Sequence, residues 1–199
     1  MYHAYLPTLS LKRDKLRITS LVDAPAQRKM AKGFGLTNSR NPDSTEDEML
    51  ISIDNSTPWV AAGDGDLELL KRALSTLNMP VNTADTNGFS FVHASAAYNQ
   101  IVVLEWLIHQ EGCNVNAQDS DGDTPLHHCD RLEAAQMLVE EGGADVSLKN
   151  NDGMTALQLK VEDLKALELD EELDIDDEDY IELKKLVEYL KNYEKNPQE

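Results

Sequence analysis

Residues 119–128 read Asp-Ser-Asp-Gly-Asp-Thr-Pro-Leu-His-His, and altered copies of this phrase stand on both sides of it. The earlier copy is Asp-Thr-Asn-Gly-Phe-Ser-Phe-Val-His at 85–93, and the later one is Asn-Asn-Asp-Gly-Met-Thr-Ala-Leu at 150–157. Gly88 precedes Gly122 by 34 residues, and Gly122 precedes Gly153 by 31. A period of this length predicts a stack of small repeated units instead of one closed core.

The phrase itself predicts a tight turn followed by a short helix. Each of the three glycines follows a triplet rich in Asp, Asn or Ser, which is typical of turns that need a positive φ. Pro125 suits the first position of a helix because its missing N–H would be unpaired there, and the hydroxyl of Thr124 can cap the exposed N–H groups. We therefore expect a helix to begin at Pro125.

A second helix is predicted in each unit, at 101–110 and at 132–141. Both segments place apolar side chains three and four residues apart, which gives each helix one apolar face. These side chains are Val103, Leu104, Leu107 and Ile108 in the first segment, and Leu132, Ala135, Leu138 and Val139 in the second. One helix pair buries too little apolar surface to offset the ordering cost of about 1–2 kcal/mol per residue, so neighbouring units must cover these faces.

The copies resemble the ankyrin repeat family, and in particular small fungal ankyrin repeat-containing proteins. The matching residues are Ser95-Ala96, Val103-Leu104, Trp106-Leu107, Gly112 and Val115-Asn116-Ala117; Thr124-Pro125-Leu126-His127, Met137-Leu138 and Gly143-Ala144-Asp145-Val146; and, in a degenerate first copy, Trp59-Val60-Ala61-Ala62, Gly65-Asp66, Leu69-Leu70 and Val81-Asn82. The resemblance implies an all-α solenoid of about four helix-turn-helix units with short turn or β-hairpin tips. We place the units at about 55–84, 85–118, 119–149 and 150–160 onward.

Two copies depart from the pattern. The third copy is three residues shorter between His127 and the Ala134-Ala135 pair than the second is between His93 and the Val103-Leu104 pair, so its first helix or the following loop is cut. The fourth copy is predicted to keep its first helix to about residue 160, followed by an acidic linker at 161–176, a capping helix at 177–193 and a tail at 194–199. The stripe expected on the capping helix is Ile181, Leu183, Leu186, Val187 and Leu190.

Composition limits the class of protein. The chain has 199 residues, of which 41% are hydrophobic, and no apolar run approaches the ~20 residues that span a membrane. Its two cysteines, Cys113 and Cys129, fall in different repeats, and we expect no disulfide framework. We expect a monomer in a reducing compartment, in the cytoplasm and the nucleus.

Charge is distributed unevenly along the chain. Residues 1–40 carry eight Lys and Arg against two Asp, a balance of +6, whereas the whole chain carries −19. Residues 162–182 contain twelve acidic residues and a single basic one, Lys165. Such a chain attracts basic surfaces and repels phosphate, so the expected partner is a basic protein, without direct binding of nucleic acid.

The acidic stretch admits two interpretations. It is either a solvated, flexible insertion in the last repeat or an electrostatic clamp for a basic protein, anchored by the interspersed Leu164, Leu167, Leu169, Leu173 and Ile175. It lacks the ligand spacing and the glycine of a calcium-binding EF-hand loop. The candidate residues for binding a basic client are Glu168, Asp170, Glu171, Glu172, Asp174, Asp176, Asp177, Glu178 and Asp179.

Residues 1–54 differ in character from the repeats. They mix proline, glycine and polar residues, and they show no sustained period beyond a fragment at about 9–22. We predict a mostly disordered basic extension. A mitochondrial transit peptide and a basic arm that folds back on the acidic stretch remain as alternatives.

The triplet His127-His128-Cys129 raises the question of a metal site or a nucleophile. Successive side chains on a helix point about 100° apart, so the triplet does not converge on one ion, and no second Cys/His pair stands at zinc spacing. In the family that the chain resembles, the histidine of the Thr-Pro-Leu-His phrase bonds the threonine hydroxyl and nearby backbone. We predict no enzymatic activity, no cofactor and no metal.

The resemblance nominates the turn tips and the exposed sides of the first helices as the protein-binding surface. The matching positions are Thr86, Asn87, Phe89, Ala97, Tyr98, Gln118, Ser120, Asp121, Asp123, Lys149, Asn151, Asp152 and Met154. Phe89 and Tyr98 are the strongest candidates because aromatic residues commonly anchor interfaces, although Tyr98 is equally suited to packing between repeats.

The predicted function is a non-enzymatic protein-interaction module or adaptor that acts as an acidic escort for a basic protein. The alternative is a scaffold subunit of a larger complex, in which the basic amino-terminal arm is the recognition element.

Overall fold

The computed structural model describes residues 52–169 and 177–195, and in this part of the chain eight α-helices follow one another in pairs. Repeat 1 holds α1 (Thr57–Asp64) and α2 (Leu67–Leu77), repeat 2 holds α3 (Phe91–Ala97) and α4 (Ile101–Ile108), repeat 3 holds α5 (Pro125–His128) and α6 (Leu132–Gln136), and repeat 4 holds α7 (Ala156–Glu168) and α8 (Glu178–Lys195). The prediction of an all-α solenoid of about four helix-turn-helix units is confirmed. None of the described helices has the length and apolar character needed to cross a membrane.

The first helices of the four repeats stack directly on one another, with α1 on α3, α3 on α5 and α5 on α7. We call the side of the molecule formed by these four helices the inner face. Ala61, Ser95 and Cys129 occupy the same position of repeats 1, 2 and 3, and all three are fully buried. Side chains this small allow successive helices to approach closely, which gives the stack a continuous core.

The second helices bury most of the apolar faces that the sequence predicts, although Ile108 and Leu132 are only half-buried. Val103, Leu104 and Leu107 of α4 and Leu138 beyond α6 are fully buried. The helix of repeat 3 widens after Gln136 into a π-helical turn, Met137–Glu141, in which the Gly142 N–H donates to the Met137 carbonyl at 3.0 Å. This wide turn ends the helix before the next turn begins.

Each turn tip is shaped by the first side chain of its phrase. The Asp119 carboxylate accepts hydrogen bonds from the Asp121 N–H at 3.0 Å and the Asp123 N–H at 2.9 Å, and Asp85 and Asn150 do the same in their own turns. Isolated antiparallel bridges close the turns at Ala84–Ser90 and at Lys149–Thr155. The turn chemistry expected from the sequence is therefore local and repeated.

Neighbouring turn tips are hydrogen-bonded to one another, which explains the glycine at their centre. The Ser120 N–H donates to the Asn87 carbonyl at 2.7 Å, and the Asn151 N–H donates to the Asp121 carbonyl at 3.0 Å. Gly122 has a φ of +78°, and a Cβ there would lie 2.7 Å from the Asn151 nitrogen. Gly153 has nearly the same φ, +76°, but a Cβ there would meet nothing within 4 Å.

The end of the stack differs from the expectation in two respects. Residues 161–168 were expected in an acidic linker, but α7 continues through them to Glu168, because Val161, Leu164 and Leu167 return at helical spacing and pack against the core. The closing helix begins at Glu178 and buries Leu183, Leu186, Val187 and Leu190 as expected. Ile181 is 37% exposed and does not belong to this stripe.

Two predicted segments lie outside the described residues. They are the amino-terminal extension up to residue 51 and the acidic residues 170–176, which include Leu173 and Ile175. Leu169, the last described residue before residues 170–176, is 83% exposed.

Candidate functional site

Three aromatic side chains connect each repeat to the next one. Trp59, His93 and His127 stand at the same position of repeats 1, 2 and 3, and a ring N–H of each donates to a backbone carbonyl of the following turn. The distances are 2.8 Å from Trp59 Nε1 to the Phe89 oxygen, 3.1 Å from His93 Nε2 to the Asp123 oxygen, and 3.1 Å from His127 Nε2 to the Met154 oxygen. The structural role expected for His127 is confirmed.

The hydrogen bonds fix the tautomer of the two histidines. His93 Nδ1 accepts from the Ser90 backbone N–H at 3.1 Å, and His127 Nδ1 accepts from the Thr124 N–H at 3.2 Å. A backbone N–H can only donate, so Nδ1 carries no proton and Nε2 carries one. Burial lowers the pKa of His93 to about 4 and also lowers the pKa of His127, so both rings are neutral at pH 7.

A polar and aromatic cluster forms where repeats 2 and 3 meet. His128 Nε2 lies 2.9 Å from Asp119 Oδ2, and the His128 ring meets Phe89 and His93 edge to face at centroid distances of 5.3 and 5.5 Å. One ligand atom from each of His93, Asp119 and His128 lies within 4.8 Å of the others. In metal sites built from nitrogen and carboxylate ligands, three such groups hold zinc.

The hydrogen bonds of His93 are incompatible with metal binding by this cluster. Its Nδ1 lone pair is taken by the Ser90 N–H, and its Nε2 carries the proton that goes to the Asp123 carbonyl. Neither ring nitrogen therefore offers a lone pair, and to bind an ion the ring would have to give up both its helix cap and its bond to repeat 3. Asp119 and His128 remain as a hydrogen-bonded pair that supports the turn.

Neither cysteine belongs to this cluster of His93, Asp119 and His128. Cys129 is fully buried, its Sγ lies 3.4 Å from the Pro125 carbonyl, and burial raises its pKa to about 12. Cys113 is half-buried at the position that Ala144 occupies in the next repeat, and burial raises its pKa as well. A thiol with a raised pKa is a poor nucleophile at neutral pH. Within the triplet 127–129, the three side chains have three separate sets of partners.

The turn-tip residues nominated for protein binding divide into two groups. Thr86, Asn87, Gln118, Ser120, Asp121, Lys149, Asn151 and Asp152 are exposed, whereas Phe89, Ala97, Asp123 and Met154 are half-buried. Several of them also build the stack. Gln118 Nε2 donates to the Gly122 and Lys149 carbonyls, Asn151 Nδ2 donates to the Ser120 carbonyl, and Asp123 accepts from Asn150 Nδ2.

The two aromatic candidates differ in their surroundings. Phe89 does not project freely from its turn, because its ring packs against His93 and His128 and its carbonyl accepts the Trp59 N–H. Tyr98, at the end of α3, is 37% exposed, and its ring lies against Gly63 of repeat 1. Tyr98 therefore both packs between repeats and presents surface on the inner face.

The acidic candidates near α8 have partners within the chain. Asp177 accepts from the Asp179 N–H at 2.8 Å and caps α8, while Glu178 and Asp179 pair with Arg131 at 3.6 and 2.8 Å. The Tyr180 hydroxyl donates to Glu168 at 3.4 Å. Asp170, Glu171, Glu172, Asp174 and Asp176 lie outside the described residues.

The shortened third repeat brings together residues that the sequence did not nominate. α5 has four residues, against seven in α3 and thirteen in α7. Lys160 stands at the position of Ser95 and Cys129 and is also buried. Its Nζ lies 2.8 Å from Asp130 and 3.9 Å from Asp163. Burial lowers the pKa of Lys160, but the two carboxylates outweigh it and leave the pKa above its ordinary value.

The alignment of repeat 4 with repeat 2 in the sequence indicates where Glu162 and Asp163 lie. Counted from the capping residues Ser90 and Thr155, Glu162 and Asp163 occupy the positions of Ala97 and Tyr98. These two residues of α7 therefore continue the first-helix register of repeat 4, in a segment that the sequence predicts as a linker.

The comparisons with known proteins agree with this architecture. The family model for ankyrin repeats (3 copies) matches residues 58–150 and 96–169, which together cover more than half of the chain. The chain therefore belongs to the ankyrin repeat family, whose repeats form protein–protein interaction modules.

Named relatives share the repeat region. The chain is 38% identical over 109 residues to the ankyrin repeat-containing protein P1E11.10 of Schizosaccharomyces pombe, a match that covers 54% of this chain and 52% of that protein. It is 31% identical over 101 residues to the RelA-associated inhibitor of Mus musculus, covering 49% and 12%, and 38% identical over 81 residues to mouse protein phosphatase 1 regulatory subunit 12A, covering 39% and 8%. The chain thus spans about half the length of the first relative and a small part of the other two.

Proposed function

We propose that this protein is a non-enzymatic interaction module that escorts a basic protein. The observation that carries the proposal is the unbalanced charge of the folded stack. The described residues include 25 Asp and Glu and 10 Lys and Arg. Six of these 25 carboxylates stand in ion pairs with a described Lys or Arg, and Asp119 is hydrogen-bonded to His128.

The remaining acidic residues are available for electrostatic attraction. They include Asp121 and Asp152 at the turn tips and Glu162 on the inner face, all of them exposed. A surface with this excess of one sign attracts an oppositely charged protein and speeds its association, and the effect weakens as salt screens it. An escort of this kind would work wherever its client is made or used, in the cytoplasm or the nucleus.

A scaffold role with the amino-terminal segment as recognition element is the second candidate. The observation that favours it is the balance of +6 in residues 1–40, opposite in sign to the repeats. Under this alternative, partner binding depends on residues 1–54 and not on the acidic stretch.

Affinity capture from cell lysate with the full chain distinguishes the escort from the scaffold role. For an escort, the main captured protein is basic, and it is retained at about 50 mM salt and released at about 500 mM salt, because the Debye length shortens several-fold over this range. Deletion of residues 1–54 leaves the capture intact. A neutral or acidic main partner, or one that survives high salt, would refute the escort.

A matched pair of charge variants locates the interaction. The test variant carries Glu171→Gln, Glu172→Gln, Asp174→Asn and Asp176→Asn, which spare the Asp177 cap and the Arg131 ion pairs. The control carries Glu105→Gln, Glu111→Gln, Glu133→Gln and Glu141→Gln, at four exposed positions outside the acidic stretch. Both remove four charges, so a clamp in the acidic stretch predicts loss of capture in the test variant alone.

A further inference from the structure

Successive repeats are joined by one set of backbone contacts that recurs along the stack. In the turns of repeats 3 and 4, the N–H of the second residue donates to the carbonyl of the third residue of the preceding turn, as Ser120 does to Asn87 and Asn151 does to Asp121. The carbonyl of the fifth turn residue accepts a side-chain N–H from the preceding first helix in repeats 2, 3 and 4. Each turn is therefore held through one N–H and one carbonyl of its backbone.

Repeat 4 presents the same groups to the next position of the stack. Gln158 stands where His93 and His127 stand in the earlier repeats, and its Oε1 accepts from the Thr155 N–H at 3.0 Å, so its Nε2 is the donor. Within residues 52–169 and 177–195, this Nε2 has no hydrogen-bond acceptor. The carbonyl of Asp152, the third residue of the turn, likewise has no donor among the described residues.

The space next to the turn of repeat 4 is open where the earlier turns are covered. A Cβ at Gly88 would lie 2.9 Å from the Asp119 Cα, and a Cβ at Gly122 would lie 2.7 Å from the Asn151 nitrogen. A Cβ at Gly153 would meet no described atom within 4 Å. The surface that receives a following turn in repeats 2 and 3 is therefore accessible in repeat 4.

An apolar groove of about 400 Å³ lies beside this turn, and we call it the end groove. Its lining includes Gly153, Met154, Leu157, Gln158 and Val161. Leu157 is half-buried, whereas Val92 and Leu126, at the same position of α3 and α5, are 1% and 2% exposed. The end groove thus combines the unused donor of Gln158 with apolar surface that the earlier repeats bury.

The open contacts define the occupant as polypeptide backbone. A ligand that fills them offers one N–H to the Asp152 carbonyl and, three residues later, one carbonyl to Gln158 Nε2, together with an apolar side chain for the groove. Glu162 and Lys165 also line the groove, and their opposite charges offset each other. The groove therefore selects a ligand by backbone shape and hydrogen bonding more than by charge.

A second copy of this chain does not supply such a turn. The turns around Gly88, Gly122 and Gly153 already use their fifth carbonyl within their own stack. Repeat 1 has Ile-Ser-Ile-Asp-Asn at 51–55 in place of a glycine turn. The net charge of −19 also opposes self-association. The occupant that fits is a turn of another protein.

We propose that the end groove of repeat 4 docks a turn of a partner protein, of the type Asp/Asn-x-x-Gly followed by an apolar residue, which continues the hydrogen-bonded ladder of turns. The bound turn reproduces an interface that the chain itself builds between its repeats. The proposal goes beyond the escort function, because this docking does not depend on a basic partner.

An NMR titration of the isotope-labelled full chain tests the docking. The probe is a backbone-cyclised peptide that contains the turn sequence Lys-Asn-Asn-Asp-Gly-Met-Thr of residues 149–155, whose formal charges cancel. At about 150 mM salt, which screens diffuse attraction, we expect a Kd on the order of 1 mM and shifts centred on Gly153, Leu157 and the Gln158 side-chain amide. Absence of shifts at about 5 mM peptide, or shifts centred on other residues, would overturn the proposal.

A modified peptide tests the backbone contact. N-methylation of the residue that corresponds to Asn151 removes the N–H offered to the Asp152 carbonyl and should weaken binding about five-fold. Equal affinity of the two peptides would overturn the ladder.

Variants of Gln158 test the side-chain donor. Gln158→Glu keeps the helix cap, since a glutamate also accepts the Thr155 N–H, but it removes the N–H offered to the peptide. We expect Gln158→Glu to weaken binding about five-fold, whereas Gln158→His, which restores the residue of repeats 2 and 3, should bind within about two-fold of the natural chain. Unchanged binding by Gln158→Glu would overturn the site.

A matched pair of valine variants tests the apolar surface. Val161→Thr places a hydroxyl in the end groove and should weaken binding about three-fold, whereas Val102→Thr, at a 63% exposed position of α4, should leave it unchanged. Equal effects of the two substitutions would overturn the groove.

The outcome for the end groove is independent of the outcome for the escort. Binding of the neutral peptide without capture of a basic protein supports the groove and refutes the escort. Capture of a salt-sensitive basic partner without binding of the peptide refutes the groove and retains the escort.

Discussion

The buried histidine of repeat 2 makes the stability of the stack sensitive to acid. His93 is fully buried and neutral, and its pKa in the folded chain is about 4, against 6.5 for an unperturbed histidine. As the pH falls below 6.5, the unfolded chain takes up a proton that the folded chain refuses, so the free energy of unfolding decreases. The contribution of His93 is fully present above pH 6.5 and is lost progressively as the pH falls from there through 4.

The size of the effect follows from the two pKa values. At pH 5 the difference in proton binding lowers the free energy of unfolding by about 2 kcal/mol relative to pH 8, and the full loss below pH 4 is about 3 kcal/mol. The measurement stops at pH 5 because the calculated isoelectric point is about 4.5 and solubility falls near it.

His93→Gln is the matched variant for this prediction. Repeat 4 already uses Gln158 at the same position, where its Oε1 accepts from the Thr155 N–H at 3.0 Å, so a glutamine preserves the helix cap and removes the titrating group. We expect the variant to lose about 1 kcal/mol at pH 8, because the Asp123 carbonyl loses its hydrogen bond. Between pH 8 and pH 5 it should lose about 2 kcal/mol less than the natural chain.

Urea unfolding followed by circular dichroism, at four pH values between 8 and 5, provides the comparison. The titration of groups remote from His93 is common to both chains and cancels in the difference. Parallel stability curves for the natural chain and His93→Gln would refute the buried, neutral histidine.

Three further predictions concern stability, and each is checked by urea unfolding at neutral pH against its own control. Gly122→Ala should cost about 1–2 kcal/mol more than Gly153→Ala, because both positions have a positive φ but the added Cβ at Gly122 would lie 2.7 Å from the Asn151 nitrogen. Equal costs would contradict the close approach of the turns. Lys160→Met should change the free energy of unfolding by no more than about 1 kcal/mol, whereas Asp130→Asn should lower it by about 1–2 kcal/mol. Asp130→Asn is the more costly change because it leaves the buried Lys160 ammonium with Asp163, at 3.9 Å, as its nearest carboxylate. A larger loss for Lys160→Met than for Asp130→Asn would count against the ion pair. Trp59→Phe should lower the free energy of unfolding by about 1 kcal/mol more than Trp106→Phe, because the Trp59 N–H donates a hydrogen bond to the Phe89 carbonyl of the next repeat. Equal losses would mean that this hydrogen bond does not stabilise the stack.

The repeat unit was predictable because its determinants are local in the sequence. The turn triplets with Gly88, Gly122 and Gly153, the helix start at Pro125 and the apolar faces of α4 and α6 all depend on residues within a few positions of one another. The structure places these features where the sequence put them. The family resemblance added the four-unit stack, and the residues of the second and third copies were sufficient for it.

Parts of the surface were predicted less well, because exposure depends on the neighbouring repeat. Phe89 stands beside a turn tip in the sequence, yet the next repeat supplies His128 to cover its ring. Glu178 and Asp179 belong to an acidic stretch in the sequence, yet α8 folds back so that Arg131 pairs with both. Contacts between residues about 40 to 50 positions apart leave no periodic signal.

The sequence by itself determined the repeat, its turns, its buried faces and its excess of negative charge. The tertiary structure decided which of those charges face one another across the inner face, where a buried Lys160 joins Asp130 of one repeat to Asp163 of the next. The physical reason is that helix and turn formation is governed by short-range hydrogen bonding and burial periodicity, whereas a surface for a partner is made by side chains that only stacking brings together.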